Sequence, residues 1–145
     1  FEESVLPVCA PVLLQDAARP LRTPADLAQH TLLAMEAYQG DAPMADWSPW
    51  LELMGLHTVR SKNMLRFSSY GDTVAAALAG QGVAIGRLPL VAELLREGRL
   101  VTPFGASGSS RRGYFVVLAR HARHNPDAMD FVRWLRAEAQ QMLPA

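Results

Sequence analysis

The chain has 145 residues, half of them apolar, with 14 Lys plus Arg balancing 14 Asp plus Glu. That length fits one domain with a substantial core, and zero net charge supplies no global field for nucleic acid. The single cysteine excludes an internal disulfide framework and a four-Cys zinc site. No run of 18 apolar residues predicts a membrane span and no basic-then-apolar leader announces export, so a soluble, cytoplasmic domain is expected. Phe1 is not a natural start, so the chain reads as cut from a longer protein.

Ser4 to Ala10 (SVLPVCA) predicts a strand ended by Pro11. Leu14 to Ala28 reads as loop, within which Thr23 caps a short helix starting at Pro24. Thr31 to Met35 is a short buried strand, and Gln39 to Pro43 is polar and turn-rich. Asp46 is placed to cap a helix over Trp47 to Met54, stopped by Gly55. Trp47 and Trp50 lie three apart on it, where core packing is the default. Met64 to Phe67 predicts a strand, followed by helix-start chemistry in Ser68-Ser69-Tyr70-Gly71-Asp72 and a small-residue helix over Thr73 to Ala79. Gly80-Gln81-Gly82 ends that helix.

Val83 to Gly86 is then a strand, Leu88 to Arg96 a helix stopped by Gly98, and Leu100-Val101 a short strand. Gly105 to Gly113 reads as a flexible Gly/Ser-rich connection, and Tyr114 to Ala119 (YFVVLA) as a continuous apolar strand covered on both faces. Asn125-Pro126 opens the last helix, whose Ala128, Phe131, Val132, Leu135, Ala139 and Met142 share one face. Strands alternating with helices at this pitch predict an α/β domain with a mostly parallel sheet and flanking helices.

Few residues carry chemistry. His30, His57, His121 and His124 show no metal-ligand spacing and read as surface residues, so no metal and no cofactor is predicted. The serines of Gly105 to Ser110 lack a Gly-x-Ser-x-Gly elbow, and Gly80, Gly82 and Gly86 have helix and strand in the wrong order for a dinucleotide fingerprint. Arg111, Arg112, Arg120 and Arg123 read as a solvated face. No catalytic set is visible. The turn Ser68, Ser69, Tyr70 and Asp72 stands apart, because it joins a strand end to a helix start, where small anions bind in open α/β sheets. The alternative is that Ser69 or Asp72 only caps the helix.

The segments Glu3-x-x-x-Pro7-Val8-Cys9-Ala10-Pro11, Pro24-x-Asp26-Leu27 with His30-Thr31-Leu32-Leu33, and Trp47-x-x-Trp50-Leu51 form an ordered series. Ala76 to Ala84 (AALAGQGVA), Leu94 to Pro103 (LLREGRLVTP) and Phe131-x-x-Trp134-Leu135 with Glu138 continue it. Together they resemble the effector-binding half of LysR-type transcriptional regulators, in the subgroup similar to the glycine-cleavage activator, over essentially the whole chain. The resemblance implies a type 2 periplasmic-binding-protein fold with two α/β subdomains around a cleft. Residues 1–10 would be a hinge-crossing strand, 11–110 the second subdomain, 111–124 the returning strand and connection, and 125–145 a helix belonging to the first subdomain. The winged helix-turn-helix and most of the first subdomain are absent, so DNA would be bound only through the missing part.

The resemblance also implies a non-enzymatic sensor that binds a small organic anion or amino-acid-like effector and transmits it to a homo-oligomer, a dimer by expectation, on DNA. Ser68, Ser69, Tyr70 and Asp72 would face the effector, with Cys9, Ala10 and Arg87 lining the same wall and Tyr114 reaching in from the crossing strand. It favours a binding role for Ser69, donating to an anionic or carbonyl oxygen, over capping alone. Nothing adjacent in sequence depresses the pKa of Cys9, which reads as buried and inert. A solute-receptor domain of a transport system with the same fold is the alternative function.

Overall fold

The computed structural model describes residues 2–35, 47–56, 61, 63–105 and 108–141. Five strands form one sheet: β1 (Glu2–Val8), β2 (Thr31–Met35), β3 (Asn63–Phe67), β4 (Val83–Leu88) and β5 (Gly108–Gly113). Their spatial order is β3-β2-β4-β1-β5. β2 runs parallel to β3 and β4, while β1 runs antiparallel to β4 and β5. Four strands therefore point one way and β1 opposes them. Helices α1 (Trp47–Leu53), α2 (Tyr70–Leu78), α3 (Ala92–Arg96) and α4 (Pro126–Gln141) complete the described elements, with three short 3-10 turns. Among the described residues no helix is long and apolar enough to cross a membrane.

Alternation along the strands builds two cores, one on each face of the sheet. Val5, Cys9, Leu32, Ala34, Val83 and Ile85 pack with Leu27, Trp47 and Trp50. Their strand neighbours Leu6, Val8, Leu33 and Ala84 pack on the opposite face with Val74, Ala76, Ala77, Val91 and Leu100. Burying each large aliphatic side chain contributes roughly 1.5–3 kcal/mol, so β2, β4 and β1 form a centre buried on both sides.

The local signals explain most boundaries. The Asp26 carboxylate accepts from the backbone N–H groups of Arg22 and Thr23 at 2.9 and 2.8 Å and from the Thr23 hydroxyl at 3.0 Å, holding the 3-10 turn Pro24–Gln29 in place of the predicted helix. Gly80 ends α2 with φ +72°, a left-handed conformation that only glycine adopts without strain. Asn125 Oδ1 accepts from Asp127 N–H at 2.9 Å and caps α4.

Five expectations are corrected. Leu14 to Gln15 belongs to a 3-10 turn over Pro11–Gln15 rather than plain loop. The helix expected from Leu88 starts at Ala92, because β4 continues to Leu88 in register with Ser4 of β1 and the residue before Pro89 favours extended backbone. Gly108–Gly113 is not a flexible connection but strand β5, fixed by pairing with β1. Tyr114 to Ala119 is not a covered strand: its backbone is irregular, and Phe115 and Val117 are 84% and 90% exposed. The physical reason is topological, since β5 has reached Glu2 of β1 by Gly113 and the described ladder offers no further partner. His30 is not a surface residue; it is buried, with Nε2 3.3 Å from the Pro20 carbonyl oxygen. The turn at Gln39 to Pro43, the Asp46 cap, His57, and Met142 lie outside the described residues. On α4, Val132 is buried, while Phe131 and Trp134 stack on each other at 5.7 Å and are more than half exposed.

Candidate functional site

The parallel strands deliver their carboxyl ends to one side of the sheet, the side where open α/β sheets take ligands. Four side chains gather there from four elements. Tyr70 opens α2 three residues after β3 ends, and Arg87 lies near the end of β4. Because β1 opposes the others, its beginning lies beside the end of β4, with Ser4 opposite Leu88, and this brings in Glu3. Tyr114 directly follows β5, whose Gly113 pairs with Glu2.

The helix start is built from its own residues. Ser69 has extended backbone (φ −130°), and its Oγ accepts from the Asp72 N–H at 3.1 Å. The same hydroxyl donates to Asp72 Oδ2 at 2.8 Å. The first-turn N–H groups of Tyr70 and Gly71 have no acceptor within the helix and carry its positive dipole end. Tyr70 joins α2 to β4: its phenol oxygen accepts from the Arg87 backbone N–H at 2.8 Å. The guanidinium carbon of Arg87 lies 4.8 Å from the Tyr70 ring centroid, a cation–π contact. Burial pushes the Tyr70 phenol up to about 12, and neighbouring Tyr114 and Glu3 act in the same direction while Arg87 opposes them.

Arg87 is a held cation. Its Nε is buried with no hydrogen-bond partner among the described residues. The ion pairs among those residues lie elsewhere, joining Arg19 to Asp16, Arg96 to Glu93, Arg99 to Glu97 and Arg133 to Asp130. On the other side of the cluster, the Tyr114 hydroxyl donates to Glu3 Oε2 at 2.9 Å, and Glu3 is only 3% exposed.

The structure thus brings together Tyr70, Arg87 and Tyr114, with Ser69 and Asp72 joined as the cap of the same helix. Ser68 is exposed beside them. Cys9 and Ala10 are placed apart from this arrangement, buried at the far end of β1, where the Cys9 N–H donates to the Val101 carbonyl at 3.0 Å. Glu3 is the member that sequence reasoning missed as a site residue. The signal was an acidic residue beginning a strand of otherwise apolar character, since buried carboxylates are rare unless paired. Among the described residues no group of three or more His, Cys, Asp or Glu is arranged to hold a metal.

Burial pushes the Cys9 thiol up to about 11. A folded-state pKa above the unfolded value means the native chain binds more protons, so the associated stability is present below about pH 9 and declines towards pH 11. Tyr70 extends the decline from about 10 to about 12. Denaturant midpoints should fall across this alkaline window, and Cys9→Ala should remove the earlier part of the fall. A midpoint that is flat or rising between pH 9 and 11 contradicts this placement of Cys9.

Residues 1–140 match the model of the LysR substrate binding domain. The chain belongs to the LysR substrate-binding domain family. This LysR domain is 33% identical over 139 residues to the glycine cleavage system transcriptional activator of Escherichia coli K12, covering 96% of this chain and 43% of that protein. It is 31% identical over 127 residues to the transcriptional activator AmpR of Enterobacter cloacae, covering 87% of this chain and 41% of that one. The LysR domain therefore spans less than half the length of these curated relatives.

Among solved structures, the effector binding domain of AmpR from Citrobacter freundii superposes with a TM-score of 0.64 at 25% identity, over 97% of this chain and 65% of that one. The effector domain of AmpR from Pseudomonas aeruginosa gives 0.64 at 26%, over 99% and 67%. The periplasmic-binding-protein-like α/β fold expected from the sequence is thereby established for the LysR domain, and the family is one of non-enzymatic transcriptional regulators. The family also selects the regulatory reading over the transport receptor.

Proposed function

We propose that this LysR domain senses a small carboxylate-bearing effector at the carboxyl ends of its parallel strands, as the regulatory part of a cytoplasmic, homo-oligomeric transcription factor. The observation that carries this reading is the Arg87 guanidinium, held over Tyr70 with no carboxylate paired to it among the described residues, beside the positive end of α2. Residues 11–110 form the second subdomain, residues 1–10 and 111–124 the crossing segments, and 125–145 a helix of the first subdomain. The first subdomain supplies the opposite wall of the cleft and covers Phe115, Val117, Phe131 and Trp134. DNA is contacted through a part of the protein outside this chain. Effector binding shifts a closure equilibrium, and the shift transmitted to DNA is limited by the effector's differential affinity for the two states.

Within the site, Ser68, Ser69, Tyr70, Asp72, Arg87 and Tyr114 form the effector-facing set, while Cys9 and Ala10, buried at the far end of β1, stand outside it. Arg87 and the N–H groups of Tyr70 and Gly71 hold the carboxylate, and Ser69 positions those N–H groups as the cap. Arg87→Met keeps the stem against Tyr70 and removes the charge. It should weaken carboxylate binding by about 1.5–3 kcal/mol, roughly ten- to a hundredfold, the cost of losing a hydrogen bond to a charged group. Ser69→Ala should instead cost about 0.5–2 kcal/mol of stability and change affinity only a few-fold. Titration of both variants with small carboxylates, alongside denaturant midpoints, separates the roles. Unchanged affinity in Arg87→Met contradicts the assignment.

A further inference from the structure

The ladder between β1 and β5 is broken at one place. Val5 pairs with Gly108 and Ser4 with Ser109, but Glu2 pairs with Gly113, so residues 110–112 stand opposite Glu3 alone. Such a bulge interrupts the backbone hydrogen bonds and bends the strand that carries the extra residues. On the other side of β1, the register with β4 ends at Ser4 and Leu88. Glu2 and Glu3 therefore lie beyond the β4 ladder and beside the gap in the β5 ladder. Across that gap the Tyr114 hydroxyl donates to Glu3 Oε2 at 2.9 Å. Glu3 is 3% exposed, which shields the bond from water, and the chain leaves the sheet directly after Tyr114, with Phe115 in solvent.

We propose that the Glu3–Tyr114 bond is a latch that stands in for the interrupted ladder, so that the start of β1 and the end of β5 open and close as one unit, separately from the core. A hydrogen bond to a carboxylate, shielded from water, is stronger than the neutral backbone bond it replaces. Outside the bulge the ladder itself contributes one register pair, Glu2 with Gly113. The centre of the sheet, β2 and β4, is buried on both faces and does not depend on the latch. Local openings of this kind involve contiguous segments and cost less than global unfolding. In the proposal above, the start of β1 and the chain after β5 are the two crossing segments, and the latch makes them move together at the hinge. That role rests on the crossing-segment reading; the latch itself does not.

The test is hydrogen exchange of this chain without ligand, read in residues 2–4 and 113–114 and, as the core control, in β2. Tyr114→Phe removes only the hydroxyl. It should speed exchange in both segments by roughly ten- to a hundredfold, the loss expected for one charged hydrogen bond, with β2 unchanged. Glu3→Gln should give a smaller increase in the same two segments, because its amide oxygen still accepts but carries no charge. Each residue also makes a further interaction, so the double variant isolates the pair. It should exchange no faster than Tyr114→Phe alone, since both substitutions act on one bond. Tyr114→Phe decides the matter if Glu3→Gln does not fold. Unchanged exchange in Tyr114→Phe, acceleration confined to residues 113–114, equal acceleration of β2, or effects that multiply in the double variant overturns the latch. None of these outcomes touches the effector-site reading, and a failure of carboxylate binding leaves the latch standing.

Discussion

Trp47→Ala should lower the unfolding free energy by about 3–5 kcal/mol, the range for truncating a fully buried large aromatic. Trp47 is 1% exposed and opens α1, where it meets Trp50 edge-on at a centroid distance of 5.8 Å. Trp50 in turn lies 6.0 Å from the Phe104 ring. The Trp47 indole N–H donates to the Leu33 carbonyl at 3.1 Å, tying α1 to the central strand β2. The truncation therefore opens a cavity and leaves a buried carbonyl with one bond fewer, and both terms act in the same direction. Against a total stability of about 5–15 kcal/mol this is a large share. A denaturant titration reads it as a shift in midpoint, and a loss below about 1 kcal/mol would mean that α1 does not pack on β2 as described.

Gly82→Ala should destabilise the fold by an amount at or above the upper end of the roughly 1–3 kcal/mol typical of overpacking. A Cβ at this position would lie 2.3 Å from the Thr31 carbonyl oxygen and 3.1 Å from two Leu33 side-chain carbons. The nearest obstacle is backbone of β2, which cannot rotate away. β4 begins at the next residue and pairs with β2 through Leu32 and Val83, so relief requires the two central parallel strands to separate. Gly71→Ala is the internal control. Its Cβ would meet only Ser69 Oγ at 3.9 Å, an ordinary contact, and alanine is the better helix former by about 1 kcal/mol. A Gly82→Ala midpoint equal to that of Gly71→Ala would contradict the close approach of β4 to β2.

How much of this was legible in the sequence depended on the range of the interaction. Strands β2 and β3, helix α2 and its glycine stop were readable because their determinants lie within a few residues: Ser69 before Asp72, and Gly80 in a left-handed turn. The errors fell where pairing across the sheet decided the outcome. Gly108–Gly113 carries a loop composition, and only antiparallel pairing with β1 makes it a strand. The apolar run after it has the reverse problem, with strand composition but no described partner, leaving Phe115 and Val117 in solvent. At the site, Ser69, Tyr70 and Asp72 were visible as a helix start, and the family resemblance added Arg87 and Tyr114. Glu3 was hidden as a site residue because its partner Tyr114 lies 111 positions away. Only the antiparallel course of β1 brings the two together.

The central claim is that the carboxyl ends of the parallel strands, at the start of α2, hold a small carboxylate. Backbone amide shift mapping of this chain during titration with alanine and propionate tests it most directly, since the method registers even the weak binding of a partly enclosed site. The account predicts that the largest shifts fall on Tyr70, Gly71, Arg87 and Tyr114, and that Arg87→Met abolishes them. Shifts concentrated instead on the exposed edge of β3 or on α4, or shifts at α2 that survive Arg87→Met unchanged, would contradict it.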